Sequence, residues 1–336
     1  MKFPSLLAAA VLGCACAHDS SLPLNPSLGV PGWPDCRRRN PSTQMDVQQA
    51  ALDLVCEQRQ SGGADSVKIA CVGDSITAGV HSSGGNHTYP GQLQIMLDKV
   101  HGPGAFDVTN LGACGSTMQK NADSPFWQRP QYAALTGSKW DIIIIMLGTN
   151  DAKDPGDGGP DNWKHDCGGA GSGTTTQACN FASDYQAMMD LVATLGTSPG
   201  GQGPKVHTMT PPPLMQQGAY GMNQTVINSV FPKLVPMITK AAEAKAAAAG
   251  RAGTVLGPID VFSGMGGSPA WRHKFPKQCD LTSPWPSCAW WCNAQSCDQC
   301  HPNDDGYTQM AGIVLKGLGL QAPSAGTTHS DTLVVE

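Results

Sequence analysis

Three residues, widely separated in the chain, are of the types that make a hydroxyl nucleophile work: Ser75 in KIACVGDSITAG, and Asp298 and His301 in CDQCHPNDDGY. A serine alone is a poor nucleophile. Attack on an acyl carbon needs a base to take its proton, a carboxylate to orient that base, and donors for the developing oxyanion. Asp298 precedes His301 by three residues. Within one turn that gap lets the carboxylate meet one imidazole nitrogen and leaves the other for Ser75. The plainer reading of Ser75 is a turn serine capping a helix. Asp74, Asp151, Asp304 and Asp305 are read as turn or cap carboxylates that bind backbone N–H groups. Asp304 and Asp305 are also the alternatives to Asp298 as the orienting group.

These side chains need elements to bring them together. From Ser66 onward β-rich runs alternate with helical patterns: VKIACVG, FDVTNLG, WDIIIIMLG, KVHTMT and TVLGPIDVF are predicted strands. YPGQLQIMLDKV, FASDYQAMMDLVATLG, NQTVINSVFPKLVPMITKAAEAKAAAA and GYTQMAGIVLKGLG are predicted helices. Strands separated by helices imply right-handed crossovers and a parallel sheet covered on both faces. The run DIIIIMLG, apolar on both sides of the pleat, suits a central strand. The fold class expected is therefore α/β, three-layer α/β/α, with a five-stranded parallel sheet and Cys-rich inserts. Such sheets present ligand-binding groups at their carboxyl ends. There stand Gly73-Asp74-Ser75, Asn110-Leu111-Gly112 and Gly148-Thr149-Asn150-Asp151.

The ordered set GDSIT with Ser75, NLG with Gly112, GTND with Asn150 and DQCH with Asp298 and His301 resembles the SGNH hydrolases, the GDSL family of lipases and esterases. The likeness covers about residues 66–320 and implies a flavodoxin-like sheet of order 2-1-3-4-5. It also implies a Ser75-His301-Asp298 triad without metal or cofactor. The resemblance assigns the oxyanion hole to the N–H of Ser75, the N–H of Gly112 and the side-chain amide of Asn150. No G-x-S-x-G elbow occurs, which argues against the ordinary α/β-hydrolase fold. The activity expected is hydrolysis of short-chain acyl esters of carbohydrates. The alternatives are a lysophospholipase, lipase or thioesterase and, outside enzymes, a secreted glycan-binding protein.

The remaining sequence bounds the setting. Residues 1–17 read as a signal peptide: one Lys, an apolar run, then Ala15-Cys16-Ala17. Lipidation at Cys14 is the lesser alternative, and the localisation expected is secreted. Residues 18–65 read as an arm and a helix, and residues 66–322 as the hydrolase domain with inserts at 152–180 and 264–297. Residues 323–336 read as a flexible tail. No apolar run reaches the ~20 residues that a membrane span requires. With a net charge of -5 and no basic run, nucleic acid is not an expected partner. The partner expected is a small-molecule or glycan ester, met by a monomer.

Of thirteen cysteines, eleven follow the signal peptide, and in an oxidising compartment most should pair. Cys36 with Cys56 and Cys167 with Cys179 are candidate bridges. Cys279, Cys288, Cys292, Cys297 and Cys300 are further candidates, with a bridge between Cys297 and Cys300 considered. The C-x₂-C spacing there also admits zinc, a reading that secretion and the competing use of His301 disfavour. Cys71, inside an apolar strand, is the candidate free thiol. Trp290 and Trp291 are candidate substrate contacts, with plain packing as the other reading. Asn86 and Asn223 head N-glycosylation sequons, expected on surface loops.

Overall fold

The computed structural model describes residues 66–163, 180–196, 203–267, 279–282 and 286–321. Residues 1–65, read above as signal peptide, arm and helix, Cys167, Cys179 and the tail expected over 323–336 lie outside the described residues.

Apolar, β-branched runs form β1 (Val67–Gly73), β2 (Phe106–Gly112), β3 (Ile142–Met146), β4 (Lys205–Met209) and β5 (Val255–Ile259). They form one sheet, order β2-β1-β3-β4-β5, with every neighbouring pair parallel. All five residues of β3 are buried, as a strand covered on both faces requires. The register pairs Gly73 with Gly112 on one side and with Met146 on the other. The chain therefore leaves β1, β2 and β3 at one level, next to one another.

The helices are α1 (Ser75–Ala78), α2 (Tyr89–His101), α3 (Pro130–Thr136), α4 (Asn180–Val192), α5 (Phe231–Ala248), α6 (Val261–Gly264) and α7 (Asp304–Gly317). Right-handed crossovers put α2 on one face of the sheet and α3, α4 and α5 on the other. Accordingly α2 packs against α7, and α4 against α5. The seven-residue α3 was not expected, being too short to show a periodic pattern. The long helix expected from Asn223 is divided. Val226–Val230 winds as a π-turn before α5, where Pro232 lacks the N–H that would continue the α-ladder.

The Cys-rich insert carries two disulfides, Cys279–Cys288 and Cys292–Cys297. The bridge considered between Cys297 and Cys300 is corrected. Cys297 is taken by Cys292, and Cys300 is a buried thiol, as is Cys71. Trp291 is also corrected as a substrate contact, since its side chain is fully buried. Trp290 is half-buried beside it, the two ring centroids 6.5 Å apart. Of the sequon residues, Asn86 is exposed, whereas Asn223 is half-buried with its Oδ1 accepting the N–H groups of Thr225 and Val226.

Candidate active site

Ser75 opens α1 immediately after β1. The strand-to-helix turn is tight: a Cβ on Gly73 would lie 2.0 Å from Thr77 Oγ1 and 2.8 Å from the carbonyl oxygen of Met146. Asp74 Oδ1 accepts the Ile76 N–H at 2.9 Å, so this carboxylate caps the helix that Ser75 begins. The turn closes with Gly79 at φ 93°, a left-handed conformation suited to glycine.

His301 arrives from the far end of the chain, in the loop that precedes α7. Its Nε2 lies 2.9 Å from Ser75 Oγ, and its Nδ1 lies 3.1 Å from Asp298 Oδ2. Asp298 Oδ1 accepts the N–H groups of Cys300 at 2.8 Å and His301 at 2.9 Å. The carboxylate thus organises its own loop as well as the imidazole. Burial opposes its ionisation, but the His301 side chain, the Tyr220 hydroxyl and the His301 N–H outweigh it and hold the carboxyl well below the ordinary range. Ser75 and His301 are buried to 8% and 5% exposure, which shields the pair from competing water.

Of the alternatives to Asp298, Asp304 is occupied elsewhere and Asp305 is exposed in the first turn of α7. Asp304 accepts the Ser83 N–H and hydroxyl, each at 2.7 Å, and lies 3.3 Å from His87 Nδ1. The α7 cap itself is Asn303, whose side chain accepts the Gly306 N–H.

Asn150 stands where the chain leaves β3, beyond Gly148 at φ 140°. Its Nδ2 donates to the Ser116 carbonyl at 3.2 Å, leaving the amide's second hydrogen for another acceptor. Asp151 accepts Met118 N–H at 2.9 Å and Gln119 N–H at 2.8 Å. This pair of bonds secures the loop after β2 to the end of β3. Burial pushes the Asp151 carboxyl up to about 7 and that of Asp74 to about 6.

Gly112 differs from the expectation. Its N–H donates to Asn110 Oδ1 at 2.9 Å, so it is not available to an oxyanion. Its glycine identity has a packing reason: a Cβ would lie 2.1 Å from Ala78 N and 2.6 Å from Thr77 C. Asn110 Nδ2 donates to the Thr77 carbonyl at 2.9 Å, binding α1 to the end of β2. Three residues further on, the Ala113–Ser116 turn holds Gly115 at φ 77°.

Two contacts escaped sequence reasoning. The Tyr220 hydroxyl donates to Asp298 Oδ2 at 2.6 Å, and His81 Nδ1 lies 3.1 Å from the His301 carbonyl, to which it donates. The residues within two places of Tyr220 are Gly218, Ala219, Gly221 and Met222, which carry no chemical signal. Among the described residues no group of three or more His, Cys, Asp or Glu side chains could hold a metal ion. No described helix is long and apolar enough to cross a membrane.

A serine opening a helix after the first strand of a parallel sheet, with a histidine and a carboxylate in line behind it, defines a class of serine hydrolases. The chain belongs to the GDSL-like lipase/acylhydrolase family, whose model matches residues 71–309, and membership classes it as a carboxylic ester hydrolase. An acetylxylan esterase of Xylanibacter ruminicola is 34% identical over 102 residues, 30% of this chain. The match spans only 19% of that relative's length. Among solved structures, an aryl esterase of M. smegmatis aligns with TM-score 0.43 at 17% identity, over 74% of this chain and 96% of its own. A carbohydrate acetylesterase of Sinorhizobium meliloti aligns with TM-score 0.45 at 16% identity, over 76% of this chain and 99% of its own.

Proposed function

We propose that this chain is a secreted serine esterase that removes short acyl groups, acetyl foremost, from carbohydrates. The observation that carries the reading is the continuous line from Asp298 through His301 to Ser75, with gaps of 3.1 and 2.9 Å. In this mechanism His301 Nε2 accepts the Ser75 proton as Oγ attacks the ester carbonyl, while Asp298 stabilises the imidazolium through Nδ1. His301 then protonates the leaving alcohol, and water repeats the sequence to release the acid. The oxyanion is held by the Ser75 N–H and the Asn150 amide. Because Asn110 occupies the Gly112 N–H, the third donor is assigned to Gly115, in the turn whose Ser116 carbonyl receives Asn150.

The acetyl-carbohydrate preference is supported by the partial likeness to an acetylxylan esterase. The test is release of p-nitrophenol from acetate through long-chain esters, and of acetate from acetylated xylan, by wild type and Ser75→Ala. Turnover of acetate that disappears in the variant is expected. A preference for long acyl chains would replace the reading with a lipase or lysophospholipase. Glycan binding with no hydrolysis would replace it with a binding protein.

A further inference from the structure

We infer that Tyr220 is a positioning residue for the Asp298–His301 pair, an assignment that rests on the serine-esterase reading. Asp298 carries four hydrogen bonds. Its Oδ1 takes the two backbone N–H groups of its own loop, and its Oδ2 takes His301 Nδ1 and the Tyr220 hydroxyl. Of these four donors only the Tyr220 hydroxyl comes from outside the 298–301 loop. At 2.6 Å it is a short bond to an ionised acceptor, the stronger kind. Its ring also stands edge-on to the imidazole, 78° between planes and 5.0 Å between centroids. It therefore limits both rotation of the carboxylate and tilt of the histidine.

Packing does not explain the residue, because Tyr220 is 58% exposed. The local backbone is held in an unfavourable form to present it. Tyr220 sits at φ 54°, ψ 25°, a left-handed conformation that a side chain with a Cβ adopts at a cost. Neighbouring bonds enforce it: Gly218 N–H to Met222 O, Gly221 N–H to Gly218 O, and Asp154 N–H to Gly221 O, each 3.0 Å. The same segment is tied to the site loop by Met215 N–H donating to Gln299 O at 2.8 Å. Strain kept on an exposed residue, and aimed at a catalytic carboxylate, points to function rather than stability. Burial, the hydrogen bond to Asp298 and the carboxylate charge all push the Tyr220 phenol upward. It remains a protonated donor throughout the neutral range.

The experiment compares wild type, Tyr220→Phe and Tyr220→Gly in two assays and a melting curve. One assay is steady-state hydrolysis of p-nitrophenyl acetate. The other is the rate at which a fluorophosphonate probe modifies Ser75, which needs the histidine but no ester substrate. Tyr220→Phe should slow both by about tenfold, the scale of one charge-assisted hydrogen bond, with KM and melting temperature unchanged. Tyr220→Gly removes the strain along with the hydroxyl, so it should melt at or above wild type and be slowed at least as much. A Tyr220→Phe protein that keeps wild-type rates overturns the assignment while leaving the serine mechanism intact. A wild type inert to ester and probe overturns the esterase reading. In that case the downfield Nδ1–H proton resonance of His301 still decides: it shifts in Tyr220→Phe if the hydroxyl acts on the pair, and stays in place if it does not.

Discussion

Asp151 holds Gln119 by its main chain: Oδ1 accepts the Gln119 N–H at 2.8 Å while Oδ2 takes the N–H of Met118 at 2.9 Å. Both donors and the carboxylate are buried. The bonds join the loop after β2 to the residue following Asn150, and the Ser116 carbonyl that orients Asn150 belongs to the same loop. Removing the carboxylate orphans two buried donors at about 1–3 kcal/mol each. Asp151→Ala should therefore lose about 3 kcal/mol in urea unfolding and lower kcat more than KM. Wild-type stability in this variant would show that the loop is held by other contacts.

Asp74 gives stability a distinctive pH dependence. Burial raises its carboxyl from 3.8 to about 6, against the opposing pull of the Ile76 N–H. Between those values the folded protein keeps a proton that the unfolded chain has lost. Stability from this group is thus full below pH ~4 and declines as pH climbs toward 6. Asp151, raised to about 7, adds a decline of the same sign over a wider window. Asp74→Asn keeps an oxygen for the Ile76 N–H and removes the titration. Its melting temperature, followed from pH 4 to 7, should fall less steeply than that of wild type; parallel curves would refute the assignment.

Much of this arrangement was legible in the sequence because the signals are local. VKIACVG and FDVTNLG became β1 and β2 with their boundaries unchanged, since both end in glycines where the chain must turn closely. That the ends of β1 and β3, which carry Ser75 and Asn150, lie side by side followed from the strand order that the family resemblance implied. The two uses of Gly112 could not be told apart beforehand, because a glycine kept for an N–H and one kept for lack of a Cβ look identical in a sequence. The bond of its N–H to Asn110 and the 2.1 Å approach that a Cβ would make to Ala78 N favour the packing role. Tyr220 was illegible for another reason: its partner lies 78 residues away, and loop backbone geometry aims it.

The two disulfides bear on stability more than on chemistry. They close short loops, with sequence separations of 9 and 5, and each should contribute about 2–3 kcal/mol. The loop that carries Asp298 and His301 has other restraints. Asp298 N–H donates to the Trp291 carbonyl at 2.9 Å, and Asp298 holds its loop through Oδ1. Treatment with dithiothreitol should lower the melting temperature while leaving room-temperature turnover nearly intact. Cys300, buried and with its thiol pushed upward by burial and nearby carboxylates, should resist iodoacetamide until the protein unfolds. Abrupt loss of turnover on reduction, with no change in melting, would instead make the bridges a redox switch.

Gly112 and Asn150 can be separated by substitution, because the proposed mechanism uses the Asn150 amide as a donor while the Gly112 N–H is held by Asn110. Asn150→Ala deletes an amide donor whose other hydrogen is already committed to Ser116. It should cost about 10² to 10³ in kcat with little effect on melting. Gly112→Ala leaves every backbone N–H in place. A donor role alone would make it nearly silent, yet its new Cβ must displace α1, where Ala78 N stands 2.1 Å away. Because Ser75 begins that helix, Gly112→Ala should lower melting temperature and kcat together. Full activity in Gly112→Ala would mean that α1 moves without disturbing Ser75, and the packing role argued for this glycine would fall.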